Sequence, residues 1–293
     1  QTDDVSLLIQ ALSIASSPDS RESVEELLSQ AIRVSIRRNA KDVLTYALDH
    51  GAKVPARSGL VLDDPQIQTL DILVAHGWDI NARHCGDQPF LWKAVLHGDG
   101  DLITWCLDHG STTVPKDLGL DSDDEWRQDM NACPPLLEIA ASQCTVATFE
   151  LLRSRGAQLG YRALHKAASA AIDHGNGGEG RPDMLDKDRA KLHSERIAMV
   201  VHLVDTVGLA PNALDQPNGW VLGNHWGTPL CYVAHNNPNW DCSDVVTFLL
   251  RKGADPWRAT EPDRSTGIPA HTAVDVAKRS NYQQFLSIVD EWK

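Results

Sequence analysis

Five times in this chain an amphipathic helical pattern runs into a glycine. The segments are Tyr46-Ala47-Leu48-Asp49-His50-Gly51-Ala52, Leu73-Val74-Ala75-His76-Gly77-Trp78-Asp79-Ile80-Asn81-Ala82, Cys106-Leu107-Asp108-His109-Gly110, Leu151-Leu152-Arg153-Ser154-Arg155-Gly156-Ala157 and Leu249-Leu250-Arg251-Lys252-Gly253-Ala254-Asp255. Glycine in that place supplies the positive φ of a helix-closing cap at no steric cost. A chain that repeats one helix ending at intervals of tens of residues is constrained toward stacked, locally similar units.

A second signature recurs upstream of such endings. It reads Thr228-Pro229-Leu230-Cys231-Tyr232-Val233-Ala234, Ala163-Leu164-His165-Lys166-Ala167-Ala168 and Thr272-Ala273-Val274-Asp275-Val276-Ala277. Thr-Pro starts a helix, and small alanines let a second helix approach closely. In this order the two signatures resemble the ankyrin repeat, a unit of about 33 residues. The resemblance runs from about residue 5 to 290 as about seven units, the first of them and the one near residues 58 to 83 degenerate. It implies an all-α fold, an ankyrin-repeat solenoid of stacked helix-turn-helix pairs with hairpin-like finger loops. It also implies one continuous domain over residues 1–293.

Departures from the repeat locate the unusual parts. Ile32 to Gly51, Leu91 to Gly110 and Leu137 to Gly156 each span 19 positions, so those units are intact. Leu164 to Gly208 spans 44. An insertion loop at about residues 174–192 and an extended second helix near Lys187 to Val207 account for the excess. The connection from Gly77 to Leu91 is 14 positions, but Gly110 to Leu137 is 27, Gly208 to Leu230 is 22 and Gly253 to Val274 is 21. Three fingers are therefore long, and insertions of this kind gather on one face of a solenoid. Gly175-Asn176-Gly177-Gly178-Glu179-Gly180 satisfies the dinucleotide spacing, yet Arg181-Pro182 follows where a helix must begin, so it reads as a flexible linker.

Charge narrows the partners. Forty acidic against 27 basic residues leave a net charge of −13, which disfavours nucleic acid and anionic membrane surfaces. Neither is expected as a partner. The six cysteines form no CxxC pair, which fits reduced thiols inside the cell, in the cytoplasm or alternatively the nucleus. No nucleotide, zinc, serine-hydrolase or calcium motif occurs, so no cofactor and no metal is expected.

Histidine and tryptophan supply the candidates for function. His50, His76 and His109 each precede a closing glycine, where a donor suits the helix end, and His165 stands where the ankyrin pattern has its intra-repeat hydrogen-bonding histidine. His97 and His235 fall late in first helices, and His84, His225 and His271 in fingers. Trp92 and Trp105 lie inside helices and are expected to pack, and Trp292 to cap the last unit. Trp78, Trp126, Trp220, Trp226 and Trp257 lie in fingers, either as a bracing cluster or as a recognition surface. Arg37, Arg38 and Arg279 fall on groove positions, either as solvated helix-end cations or as planar forks for an acidic group.

The resemblance implies a binding module that recognises a protein or peptide partner through the groove and fingers. Trp78, His84, His97, Trp126, Trp220, Trp226, Trp257, Arg37, Arg38 and Arg279 are then its binding residues. The alternative is a cofactor-independent enzyme of isomerase, cyclase or lyase type, acting on an aromatic or acidic small molecule under the long fingers. His225, His235 and His271 would be its acids or bases, Tyr161 a hydrogen-bond donor and Glu138 a weaker acid.

Overall fold

The computed structural model describes residues 3–17, 22–54, 66–82, 88–114, 133–173, 186–215, 227–260, 262 and 269–292. Among them are fourteen α-helices and no strand. The chain divides into two compact units, one of Gln1–Lys93 with Asp101–Pro115, the other of Ala94–Gly100 with Lys116–Lys293.

The first unit holds α1 (Val5–Ala15), α2 (Val24–Arg38), α3 (Lys41–Asp49) and α4 (Ile67–Ala75), while α5 (Phe90–His97) and α6 (Gly100–Asp108) carry residues of both units. A reciprocal capping box starts α2: Glu26 N–H donates to Ser23 Oγ at 3.1 Å, and Ser23 N–H to Glu26 Oε2 at 3.0 Å. Its buried residues Leu28, Ile32, Ser35 and Ile36 repeat at helical spacing and face α3, which answers with Leu44, Ala47 and Leu48. The N-cap of α3, Ala40, has no capping side chain. Asp3 supplies one from outside, its two oxygens accepting the Asp42 and Val43 N–H groups at 3.0 Å each. That contact fixes the start of α1 beside the turn between α2 and α3.

All five glycine endings adopt one geometry. Gly51, Gly77, Gly110, Gly156 and Gly253 have φ between 85° and 90°. In each, the N–H after the glycine reaches the carbonyl five residues back, Ala52 to Ala47, Trp78 to Leu73, Ser111 to Cys106, Ala157 to Leu152 and Ala254 to Leu249, at 2.9–3.1 Å. This is the Schellman closure, which satisfies carbonyls the helix leaves orphaned. The three histidines placed before glycine add to it. Nδ1 of His50, His76 and His109 donates to the carbonyl four residues back at 2.7, 2.7 and 2.8 Å, helped in two cases by stacking on Tyr46 and Trp105.

Two asparagines, each four residues beyond a closing glycine, tie one ending to the next. Asn81 Nδ2 donates to Gly110 O at 3.0 Å and its Oδ1 accepts Thr112 N–H at 2.8 Å. Asn212 does the same to Gly253 O and Asp255 N–H, at 2.7 Å each.

The second unit contains α7 (Leu136–Gln143), α8 (Val146–Ser154), α9 (Ala163–Asp173), α10 (Asp186–Asp205), α11 (Pro229–Ala234), α12 (Ser243–Arg251), α13 (Ala273–Arg279) and α14 (Gln283–Glu291). Helices pair in order, α7 on α8, α9 on α10, α11 on α12 and α13 on α14. Odd helices also touch in succession from α7 to α13, and even helices from α8 to α14. Buried Ala140, Ala167, Ala168, Ala234 and Ala277 permit this close approach. The extended helix expected near Lys187 to Val207 is α10, 20 residues long. Its Arg196, buried, donates from Nη2 to Gln143 O at 3.0 Å and so caps α7.

Polar side chains bridge neighbouring even helices: His202 to Glu150 at 2.7 Å, and Lys252 to Asp205 at 2.6 Å. In the first unit His76 Nε2 meets Asp49 Oδ1 at 3.1 Å, and Asp71 accepts Trp105 Nε1 at 2.8 Å. Trp92 is buried as expected, and Trp292 is 45% exposed.

The Ile72 carbonyl and the Asp49 carboxylate hold the His76 pKa above its usual value. The stabilisation from charged His76 is therefore complete below about pH 6.5 and lost as pH rises through the raised folded value. Asp49→Asn should lower the urea midpoint at pH 5.5 by an amount worth less than about 1 kcal/mol, and by less again at pH 8.5. An equal loss at both pH values would contradict this assignment.

Candidate functional site

Two of the long fingers leave and rejoin the helices through paired bases. Asp215, seven positions after Gly208, donates its N–H to Gly227 O at 3.0 Å and accepts Gly227 N–H on Oδ1 at 3.2 Å. Thr260, seven positions after Gly253, donates its N–H to His271 O at 2.8 Å, and its Oγ1 accepts His271 N–H at 3.0 Å. The returning residue in each finger, Gly227 or His271, precedes the threonine that caps the next odd helix, Thr228 for α11 and Thr272 for α13. The two bases pack on each other, since a Cβ added to Gly227 would collide with the Thr260 methyl group.

A buried polar cluster supports the first base. Tyr232 Oη, on α11, donates to Asp215 Oδ2 at 2.8 Å. His165, on α9, lies edge-on to Tyr232 with ring centroids 5.0 Å apart, and its Nε2 donates to Ala213 O at 3.0 Å. Burial pushes the His165 pKa down to about 4, against the pull of Asp215, so the ring is neutral near pH 7. Burial first, then the Asp215 charge, raises the Tyr232 phenol. The expectation of an intra-repeat bond for His165 is thus corrected. Its acceptor lies 48 positions on, because the insertion carries the chain away before the next finger returns. Glu138, proposed as a weak acid, is also spoken for: buried, it accepts Arg162 N–H at 2.9 Å and pairs with Arg162 Nε at 3.2 Å.

The second base brings candidate residues together. His235 ends α11, His271 forms the finger base and Arg279 ends α13. The His235 and His271 rings stand 6.2 Å apart, centroid to centroid, almost perpendicular at 87°. Ser280, next to Arg279, donates its hydroxyl to Ala234 O at 3.3 Å and so joins the two helix ends. His271 is buried, with Nδ1 3.2 Å from Pro269 O and 3.3 Å from Thr260 Oγ1. A carbonyl only accepts, so Nδ1 carries the hydrogen. His235 and Arg279 are exposed. Partial desolvation, followed by the charges of His271 and Arg279, brings the His235 pKa down to about 4. Arg279 donates from Nε to Asp275 O at 3.4 Å and makes no ion pair among the described residues. The His235 and His271 rings thus meet at this base, and the Arg279 charge acts on His235.

The other candidates are placed separately. Trp78 is buried and meets the Phe90 ring edge-on at 5.3 Å, so of the two roles open to finger tryptophans it takes the packing one. Trp257 is 44% exposed and Tyr161 55% exposed. No hydrogen bond or ring contact joins Tyr161 to the histidine pair. Arg37 and Arg38 are exposed in the last turn of α2, without an ion pair among the described residues, and His97 is exposed at the end of α5. His84, Trp126, Trp220, His225 and Trp226 lie outside the described residues, as does most of the glycine-rich insertion.

Among the described residues no group of three or more His, Cys, Asp or Glu side chains is placed to hold a metal ion, and no helix is long and apolar enough to cross a membrane. The five described cysteines are buried thiols, with burial pushing Cys144 up to about 12 and Cys242 up to about 11. Nucleophilic thiolate chemistry is disfavoured at both. The chain matches no protein-family model and no curated protein.

Gly227 has φ +102°, so Gly227→Ala combines left-handed strain with the Thr260 collision. It should destabilise the fold by about 2–5 kcal/mol. Thr260→Ser deletes the obstructing methyl but keeps the hydroxyl that His271 uses, and should restore part of that loss in the double variant. Additive losses in urea unfolding would disprove the packing of one base on the other.

Proposed function

We propose that this chain is an ankyrin-type repeat protein that binds a protein or peptide partner through the ends of its odd helices and the bases of its fingers. Support for the repeat reading comes from the five like closures, the two asparagine ties and the successive helix pairs of the second unit. Units of this kind share stability with their neighbours and display variable residues along one face.

The observation that carries the binding reading is the meeting of the His235 and His271 rings at a finger base, with exposed His235 and Arg279 ending successive odd helices. The catalytic alternative has less support, since Tyr161 does not meet the pair and Glu138 is held by Arg162. A global charge of −13 acts over a Debye length of about 8 Å, so recognition here depends on short-range contact more than on steering.

Peptide-display selection against the full chain tests the reading. Selected peptides should bind the double variant His235→Ala/Arg279→Ala about tenfold or more weakly, with circular dichroism unchanged. Peptides that bind wild type and double variant equally would remove this site from the recognition surface.

A further inference from the structure

We infer that the glycine-closed ends of α3 and α4 form a proton-operated clasp, shut when His76 carries two ring hydrogens and released when it carries one. The inference is independent of the recognition reading above.

Both ring nitrogens of His76 face oxygens that only accept. Nδ1 stands 2.7 Å from the Ile72 carbonyl on its own helix, and Nε2 3.1 Å from Asp49 Oδ1 at the end of α3. An imidazolium has a hydrogen for each contact. A neutral imidazole has only one and must leave a lone pair facing an oxygen. The local contact keeps that hydrogen, because helix geometry alone supplies it. Nδ1 of His50 and His109 reaches the carbonyl four residues back in the same way, at 2.7 and 2.8 Å. Deprotonation therefore falls on Nε2 and sets its lone pair against the Asp49 carboxylate. An attraction between two helices becomes a repulsion.

The other contacts of α4 use different groups. At the far end of the same seam Lys41 Nζ, in the first turn of α3, donates to Gln68 Oε1 at 3.4 Å, and Thr69 Oγ1 donates to Asn39 Oδ1 at 3.3 Å. Between the ends α3 and α4 pack on each other, with Leu44, Ala47, Leu48, Leu70 and Leu73 buried. Toward α6, Asp71 Oδ1 accepts Trp105 Nε1 at 2.8 Å and lies 3.6 Å from His109 Nε2. Loss of the second His76 hydrogen thus frees one end of one seam, the end from which the chain leaves after Gly51 and Gly77.

The Ile72 carbonyl first, then Asp49, raises the His76 pKa, so the clasp is shut below about pH 6.5 and opens as pH rises through the raised value. A capping role alone would need only Nδ1. It does not account for a carboxylate from 27 positions earlier at Nε2. The His76 side chain is 25% exposed and that of Asp49 59%, so solvent screens the pair and the expected change is a small multiple.

The test uses the full chain. Nitrogen-15 spectra of the histidine rings, with His76 assigned through His76→Gln, report which nitrogen keeps its hydrogen. Amide hydrogen exchange, corrected for the intrinsic effect of pH, reports each end of the seam. The Ala52 and Trp78 amides close α3 and α4 at the clasp, and the Leu44 and Leu70 amides lie in the first turns at the other end. Between pH 5.5 and 8.5 protection at Ala52 and Trp78 should fall about two- to fivefold more than at Leu44 and Leu70. That difference should shrink in about 1 M salt. Asp49→Asn should abolish it and lower the His76 pKa, whereas Lys41→Met, at the other end, should leave it unchanged. An Nε2 that keeps the hydrogen at pH 8.5 while Nδ1 loses it would overturn the clasp. So would an equal fall in protection at both ends, or a difference that survives Asp49→Asn.

Discussion

Every helix leaves its last carbonyls without intrahelical partners, and a protein built almost wholly of short helices must solve that problem many times. At five of the fourteen described helices it is solved by one device. A glycine with φ near 85–90° turns the chain so that the next N–H reaches back five residues, and the same bond returns at Gly51, Gly77, Gly110, Gly156 and Gly253. The closure also sets the direction in which the chain leaves each helix. Asn81, four residues after Gly77, finds the Gly110 carbonyl of the following ending, and Asn212 finds the Gly253 carbonyl four residues after Gly208, whose own closing bond runs from Leu209 N–H to Leu203 O.

The finger bases depend on that exit in turn. Asp215 and Thr260 occupy equivalent places after their glycines, and each pairs with the residue before a capping threonine. The pairs are chemically different. Asp215 uses a carboxylate to hold Gly227 and Tyr232, whereas Thr260 uses a hydroxyl to hold His271. The first base closes against a buried polar cluster, with Tyr232 and neutral His165 at its back. The second has His235 at its side, its ring 6.2 Å from that of His271.

Legibility in the sequence tracks the reach of each interaction. The histidine donors at positions 50, 76 and 109 can be named from the glycine beside them, because their acceptors lie four residues back on the same helix. The long α10 can be named from spacing, and its observed range Asp186–Asp205 sits within one or two residues of the expected one. Arg196 gives no such sign. It caps a helix end 53 positions earlier, and only the insertion brings it there. Trp78 takes one of the two roles open to it through a neighbour that no local pattern names, the Phe90 ring that meets it edge-on.

The sequence by itself determined the helical class, the closing glycines, the capping threonines and the list of residues with chemistry to offer. Each of those rests on contacts within about five positions, where backbone geometry leaves few choices. Tertiary structure alone decided that the His235 and His271 rings meet, that Glu138 is consumed by Arg162, and that Asp215 locks to Tyr232. These contacts join residues 17 to 36 positions apart, across a finger or a helix pair. Their formation depends on how one helix pair settles on the next, and no local pattern of side chains encodes that.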